Sequence, residues 1–333
     1  MLSRRMRMRT AVLLGAALAT IAGSVVAAAA QTYPSRPITI VVPFPPGGQV
    51  DTLARILLER MRASLGQPII LENVGGASGG IGVTRVTRAT PDGYTLSMGN
   101  WTSHVGGPAI YPVQFDILKD LEPVAMLPSA PTIIVARSNM PANNLKELID
   151  WLKANPDKAT AATVGAGSPG HVSGLFFQSE TGTRMQFVPY RGGGPANQDL
   201  LAGQVDMRIG AEASQMLPHV RGGRVKAYAV MAKNRWAAAP DIPTIDEAGV
   251  PGVHISVWTG LWAPKGTPQA IITRLNAAMM EVLADETVRK RVAELGSETP
   301  ARDQQSPAAL AAFHKAETEK WWPIIKAANI KVE

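Results

Sequence analysis

The run Pro37-Ile38-Thr39-Ile40-Val41-Val42-Pro43-Phe44-Pro45-Pro46-Gly47-Gly48-Gln49-Val50-Asp51 constrains the fold more than any other stretch. Its short apolar, β-branched segment reads as a buried strand. Four residues of Pro and Gly stop that strand. Behind them Val50, Leu53, Leu57, Met61 and Leu65 recur at helical spacing. The unit is therefore strand, tight loop and helix. Gly47 and Gly48 carry no side chains, so their backbone N–H groups are open to close approach. The helix start behind them adds unpaired N–H groups and the positive end of a dipole, a setting suited to a carboxylate. The same residues are equally compatible with a strand-to-helix turn that holds no ligand.

The alternation continues along the chain. Strands are expected at 68–72, 94–98, 131–136, 160–164, 185–189, 205–209, 225–231 and 254–261, with helices between several of them. Residues 103–122 read as irregular, and Gly75 to Gly80 as a flexible loop near a cleft mouth. Three helices are expected at the end, about 268–284, 286–295 and 306–328, the last kinked or interrupted at Pro323. This pattern predicts an α/β fold. Its 46% hydrophobic and 18% charged content fits a folded protein rather than disorder.

The first thirty residues read as a leader. Arg4, Arg5, Arg7 and Arg9 precede an apolar stretch that ends in Ala28-Ala29-Ala30. That is the layout of a cleaved secretory signal peptide, with an uncleaved anchor as the alternative. No Cys follows, which excludes a lipoprotein anchor. No later stretch approaches the roughly 20 apolar residues of a membrane span. Removing 30 residues from 333 leaves about 303, a length that favours two lobes. The leader holds 4 of the 33 basic residues, so 29 bases face 26 acids and the net charge falls from +7 to +3. Nucleic-acid binding thereby loses its compositional support. The absence of Cys excludes disulfides, thiolate metal sites and a Cys nucleophile.

Several constellations carry competing readings. Ala166-Gly167-Ser168-Pro169-Gly170 nearly matches the Gly-x-Ser-x-Gly nucleophile elbow, but Ala166 replaces the first Gly and His171 is too close to be the usual distal base. A second anion cradle, with Ser168 and His171 as polar contacts, is the preferred reading over an exported serine hydrolase. Gly75 to Gly80 lacks the Gly-Lys-Ser/Thr ending of a phosphate loop and the dinucleotide spacing. The five histidines, His104, His171, His219, His254 and His314, form no paired metal motif. Asp51, Asp206 and Glu212 read as caps or surface acids unless the fold brings them together. Asn100, Trp101 and Thr102 sit at a strand end, where ligands bind in open α/β sheets. Trp101, Trp258 and Trp262 fit either a ligand wall or a core. Arg191, in a Gly-rich loop, suits a carboxylate or solvent.

Taken together, the motifs carry a resemblance. Tyr33-Pro34-Ser35-Arg36-Pro37, Val42 to Gly48 with Asp51, Pro91-Asp92-Gly93-Tyr94-Thr95-Leu96 and Asp120-Leu121-Glu122-Pro123-Val124 form its first part. Gly165 to His171, Pro189-Tyr190-Arg191-Gly192, Gly203-Gln204-Val205-Asp206, Pro243-Thr244-Ile245 with Glu247-Ala248-Gly249, and Ala263 to Pro268 complete it. The chain resembles the tripartite tricarboxylate transporter substrate-binding receptors, the Bug family, over nearly all of its mature length.

The resemblance implies a periplasmic binding protein of type II topology, with no enzymatic activity and no cofactor or metal. Lobe 1 would comprise 31–130 and 256–333, and lobe 2 131–255, with crossings near Pro131–Val135 and Ile255–Trp258. The implied ligand is a small carboxylate: a di- or tricarboxylate, an acidic amino acid or an aromatic acid. The implied partners are membrane transporter subunits, or a membrane sensor, and the receptor is expected to be a monomer. The loop of Phe44, Pro46, Gly47, Gly48 and Gln49 would form one cradle, with Gly47 and Gly48 acting through N–H groups. Gly167 and Ser168 would form the other. Asn100, Trp101 and Thr102, with His171, Tyr190 and Arg191, complete the expected site. Arg208-Ile209-Gly210-Ala211-Glu212-Ala213 departs from the family's Phe-Asp-Asn-like run. Its Asp is absent, and Glu212 is the acid that stands nearby.

Overall fold

A computed structural model describes residues 33–190 and 192–328. The leader of residues 1–30 and Arg191 lie outside the described residues. The first lobe opens with β1 (Ile38–Val42), α1 (Gln49–Leu65), β2 (Ile69–Asn73), α2 (Gly80–Thr87) and β3 (Thr95–Asn100). The apolar positions of α1 are buried as their spacing requires, and they pack on β1, β2 and the later helix α8 (Gln269–Ala284). Each fully buried Leu or Met on such a face contributes about 1.5–3 kcal/mol.

The second lobe is built around β4 (Leu121–Arg137), α4 (Leu145–Ala154), β5 (Thr160–Thr163), α5 (Pro169–Thr181), β6 (Gln186–Pro189), α6 (Gly193–Ala202), β7 (Met207–Glu212), α7 (Ala213–Arg221) and β8 (Val225–Val230). The chain then returns through β9 (Ser256–Pro264), α8, α9 (Glu286–Glu294) and α10 (Pro307–Ala327). A short helix α3 (Gly107–Ile110) stands between β3 and β4.

The strand order is β2-β1-β3-β9-β4-β7-β5-β6, with β8 also on β4. The strand β4 belongs to both halves. From Leu121 to Pro131 it pairs antiparallel with β9, and from Thr132 onward with β7 and β8. The change of partner falls between Pro131 and Thr132, opposite Ser256. Within each half the inner strands are parallel, β1 with β2 and β3, and β5 with β6 and β7. Their carboxyl ends and the loops that follow therefore gather where an open α/β sheet binds its ligands.

The structure corrects several sequence expectations. The strand expected at 131–136 is the second half of a 17-residue strand. Pro123, Pro128 and Pro131 mask its first half, and register shifts near the first two accommodate them. Residues 102–106 form a π-helical turn that leads into α3, where an irregular segment was expected. The helix α7 went unpredicted because Pro218 lies inside it and only Ala213 and Met216 are buried. The loop 75–80 includes a 3-10 turn at Ala77–Gly79. Finally, α10 runs through Pro323 without ending. Its buried stripe of Leu310, His314, Thr318, Trp321 and Ile325 spans that point at helical spacing, and tertiary packing offsets the lost backbone bond.

The helix α10 also ties the halves together. Trp321 packs edge-on against Trp101 at 5.7 Å and against Phe176 of α5 at 5.8 Å. The Trp322 indole donates to the Val105 carbonyl at 3.0 Å.

Candidate functional site

A cavity of about 550 Å³ lies between the halves and is lined by loops that follow β1, β2, β3, β5, β6 and β7. The β1 loop supplies Pro43 to Gly48, with Gln49 and Val50 at the start of α1. The β2 loop supplies Gly76, Ser78 and Gly79. Asn100 and Thr102 enter from the end of β3. Val164, Ala166, Ser168, Gly192, Gly193 and Glu212 close it from the other half. Four helices begin at this cavity: α1 at Gly48, α5 at Ser168, α6 at Gly192 and α7 at Glu212. Each brings unpaired N–H groups and a positive dipole end.

The β1 loop is held by its own acid. Asp51 is buried, and it accepts bonds from the Gly47 N–H at 2.9 Å, from Asn73 at 3.0 Å and from the Arg55 guanidinium. Burial pushes the Asp51 carboxyl up, but the bonds from Arg55, Gly47 and Asn73 outweigh it and leave its pKa below the usual carboxylate range. The Gly47 N–H is thus committed to the loop itself. The Gly48, Gln49 and Val50 N–H groups have no acceptor among the described residues, and α1 has no side-chain cap. These groups are left open to an anion.

On the opposite wall Ser168 caps α5, its Oγ accepting the His171 backbone N–H at 3.3 Å. The His171 ring turns away from it. Its Nδ1 accepts the Gly167 N–H at 3.2 Å, and burial holds its pKa below the ordinary imidazole value. Its ring meets Phe187 edge-on at 5.0 Å. Ser168 and the His171 ring form no hydrogen bond, so the base that an elbow serine needs is not engaged.

Of the expected site residues, Phe44, Pro46, Gly47, Gly48, Gln49, Asn100, Thr102, Ser168 and Glu212 line the cavity. Four others sit elsewhere. Trp101 is wholly buried in the core behind the cavity, against Trp321. Tyr190 donates its hydroxyl to Asp199 at 2.7 Å, a bond that pushes its pKa up to about 12. His171 packs on Phe187 as described. Gly167 is where the halves touch: an ideal Cβ there would lie 2.0 Å from Ile110 Cδ1, and its carbonyl faces Gly106. The expected site left out Gly76, Ser78, Gly79, Gly192 and Gly193, although the Gly75–Gly80 loop was expected near a cleft mouth. A Gly-rich run directly after a strand was the signal that marked them.

A second cavity of about 600 Å³ lies between β4, β9 and the start of α10, beside Trp258 and Phe313. It is slightly larger but receives no strand-end loop and no helix start from α1, α5, α6 or α7. The chemistry of an anion site belongs to the first cavity.

Comparison with known proteins agrees with this geometry. The family model described as tripartite tricarboxylate transporter family receptor matches residues 53–330. The protein BugT of Bordetella pertussis is 34% identical over 327 residues, which is 98% of this chain and 99% of BugT. The solved structure of the periplasmic binding protein BugD is 37% identical, covers 90% of this chain and all of that one, and superposes with a TM-score of 0.78. MatC from Rhodopseudomonas palustris, solved with bound malate, is 38% identical, covers 88% and 100%, and also gives 0.78. The solved structures among them share the two-lobed type II architecture of periplasmic binding proteins, which are binding proteins rather than enzymes. With strand-end loops from two lobes around one cavity and a family match over most of its length, the chain belongs to the tripartite tricarboxylate transporter receptor family of periplasmic solute-binding proteins.

Proposed function

We propose that this receptor binds a small carboxylate in the inter-lobe cavity and delivers it to a membrane transporter, after export through a cleaved leader. The observation that carries the reading is the cradle at the start of α1, where the Gly48, Gln49 and Val50 N–H groups line the cavity without acceptors among the described residues. The malate seen in MatC supports it, since that relative holds a dicarboxylate on the same fold. Residues 31–130 with 256–333 would form one jaw and 131–255 the other, hinged where β4 changes partner. Phe44, Pro46, Gly48, Gln49, Asn100, Thr102 and Ser168 would contact the ligand.

Binding to the folded state alone adds about 2.7 kcal/mol at a hundredfold excess over Kd. A thermal-shift panel of citrate, malate, succinate, aspartate, glutamate and aromatic acids, run after refolding to strip bound ligand, should therefore show at least one clear rise in Tm. Flat melting curves across the panel would sink the reading. Loss of uptake of the best ligand on deletion of the gene tests delivery.

A further inference from the structure

The cavity is built for an anion, yet no cationic side chain is found among its described lining residues. Among those described residues the single ionisable group is an acid, Glu212. Glu212 ends β7 and starts α7, and its side chain does not cap that helix. Instead a polar chain fixes it from behind. Arg208 donates to Asn197 Oδ1, Asn197 donates to Gln215 Oε1 at 3.0 Å, and Gln215 donates to Glu212 Oε2. The relay engages one Arg208 N–H, and the buried Arg208 Nε finds no acceptor among the described residues. Glu212 forms no ion pair among the described residues; burial pushes its carboxyl up, and the charge of Arg208 opposes that through space without a direct contact. A second acceptor points the same way: the Oε1 of Gln49, also on the lining, is buried without a donor among the described residues.

A ligand with a carboxylate at the α1 cradle and a second carboxylate toward Glu212 would meet like charge at low dielectric, which disfavours binding. A ligand with a donor cation at that place would satisfy Glu212. We infer that Glu212 selects a zwitterionic amino carboxylate, its carboxylate at the Gly48–Val50 N–H groups and its ammonium against Glu212. This rests on the carboxylate-receptor reading and narrows it to one substrate class. Glu212 is the specificity-determining residue, and the Arg208-Asn197-Gln215 relay positions it.

The test compares matched pairs by calorimetry on the full mature chain: aspartate with malate and succinate, glutamate with glutarate, and 4-aminobutyrate with butyrate. The wild type should prefer the amino member of at least one pair by about tenfold or more. Glu212→Gln keeps shape and removes charge, so it should shrink that preference to about threefold or less while leaving Tm near the wild-type value. Equal or tighter binding of the desamino members by the wild type would overturn the inference and leave the carboxylate reading standing. An amino preference that survives in Glu212→Gln would overturn the role of Glu212. An amino preference that emerges only in Arg191→Ala would also overturn it, because Arg191 would then be the cation that already pairs with Glu212. Binding of no member of any pair would sink the carboxylate reading, and this inference with it.

Discussion

The Gly47 N–H donates to Asp51 Oδ2 at 2.9 Å, across the turn that joins β1 to α1. The acid four residues ahead thus ties down the one donor that looks most available in the sequence. It also receives Asn73 and Arg55, so the loop, β2 and α1 meet on one buried carboxylate. The three N–H groups after Gly47 are therefore the ones left open to an anion, and the Asp51 carboxylate holds the loop that carries them.

Replacing Asp51 by Ala should loosen this loop. It removes the charged acceptor that Gly47, Asn73 and Arg55 share, and a hydrogen bond to a charged group is worth about 1.5–3 kcal/mol. Chemical denaturation of Asp51→Ala should show that loss, and ligand affinity should fall with it. Because the folded pKa is depressed, the contribution of Asp51 is complete above the unfolded value of about 3.9 and is lost as pH falls through the lower folded value. An unchanged midpoint and affinity in Asp51→Ala would mean that the loop holds itself.

Gly48→Leu separates cavity from fold. Gly48 has φ −75°, an ordinary value for any residue, and a Cβ there meets only the Pro45 carbonyl at 3.6 Å. The fold should accept the side chain, while the cavity loses space beside the anion cradle. Melting within about 1 kcal/mol of wild type, with affinity reduced a hundredfold or about 2.7 kcal/mol, is the expected pair of results. Retained affinity would show that the β1 loop is only a turn.

Much of this architecture was legible in the sequence, and particular residues show why. The periodicity of Val50, Leu53, Leu57, Met61 and Leu65 fixed α1, because one buried face is enough to set a 3.6-residue repeat. The Gly-rich strand ends marked five of the six loops that line the cavity. The long strand β4 was half hidden, since its prolines erase the alternation that a strand reader needs. The direction of a side chain was less legible still. Trp101, His171 and Tyr190 lie within one to three residues of lining positions, yet each turns to a core or loop partner that is distant in sequence or on the next helix. Glu212 was visible as an acid, but its place as the one ionisable group among the described lining residues emerges only in three dimensions.

Gly167 should govern closure. Its φ of +71° costs a non-glycine residue about 1–2 kcal/mol, and a Cβ would collide with Ile110 across the lobe contact. Gly167→Ala should weaken the best ligand about tenfold or more through a poorer closed state. Adding Ile110→Ala removes the collision and should recover part of the affinity, leaving the backbone strain. Failure of the double variant to recover any affinity would locate the whole effect in that strain.

The buried histidines behind the cavity should set the acid limit of stability. His104 is wholly buried, stacks on Trp262 at 3.8 Å, and is held well below its ordinary pKa by burial and by the neighbouring His314. His314 donates its Nε2–H to the His104 carbonyl at 2.7 Å, and burial lowers its pKa to about 4. The unfolded chain binds these protons near pH 6.5, so it takes up more protons than the native state between there and about pH 4. Stability therefore rises with pH through that window and is lost as pH falls. From His314 alone the loss between pH 7 and pH 5 is about 2 kcal/mol. Urea denaturation at the two pH values measures it. His314→Gln lowers stability at both but should flatten the difference between them by about that amount, with His104 supplying the remainder. An equally steep difference in His314→Gln would show that other groups carry the acid sensitivity.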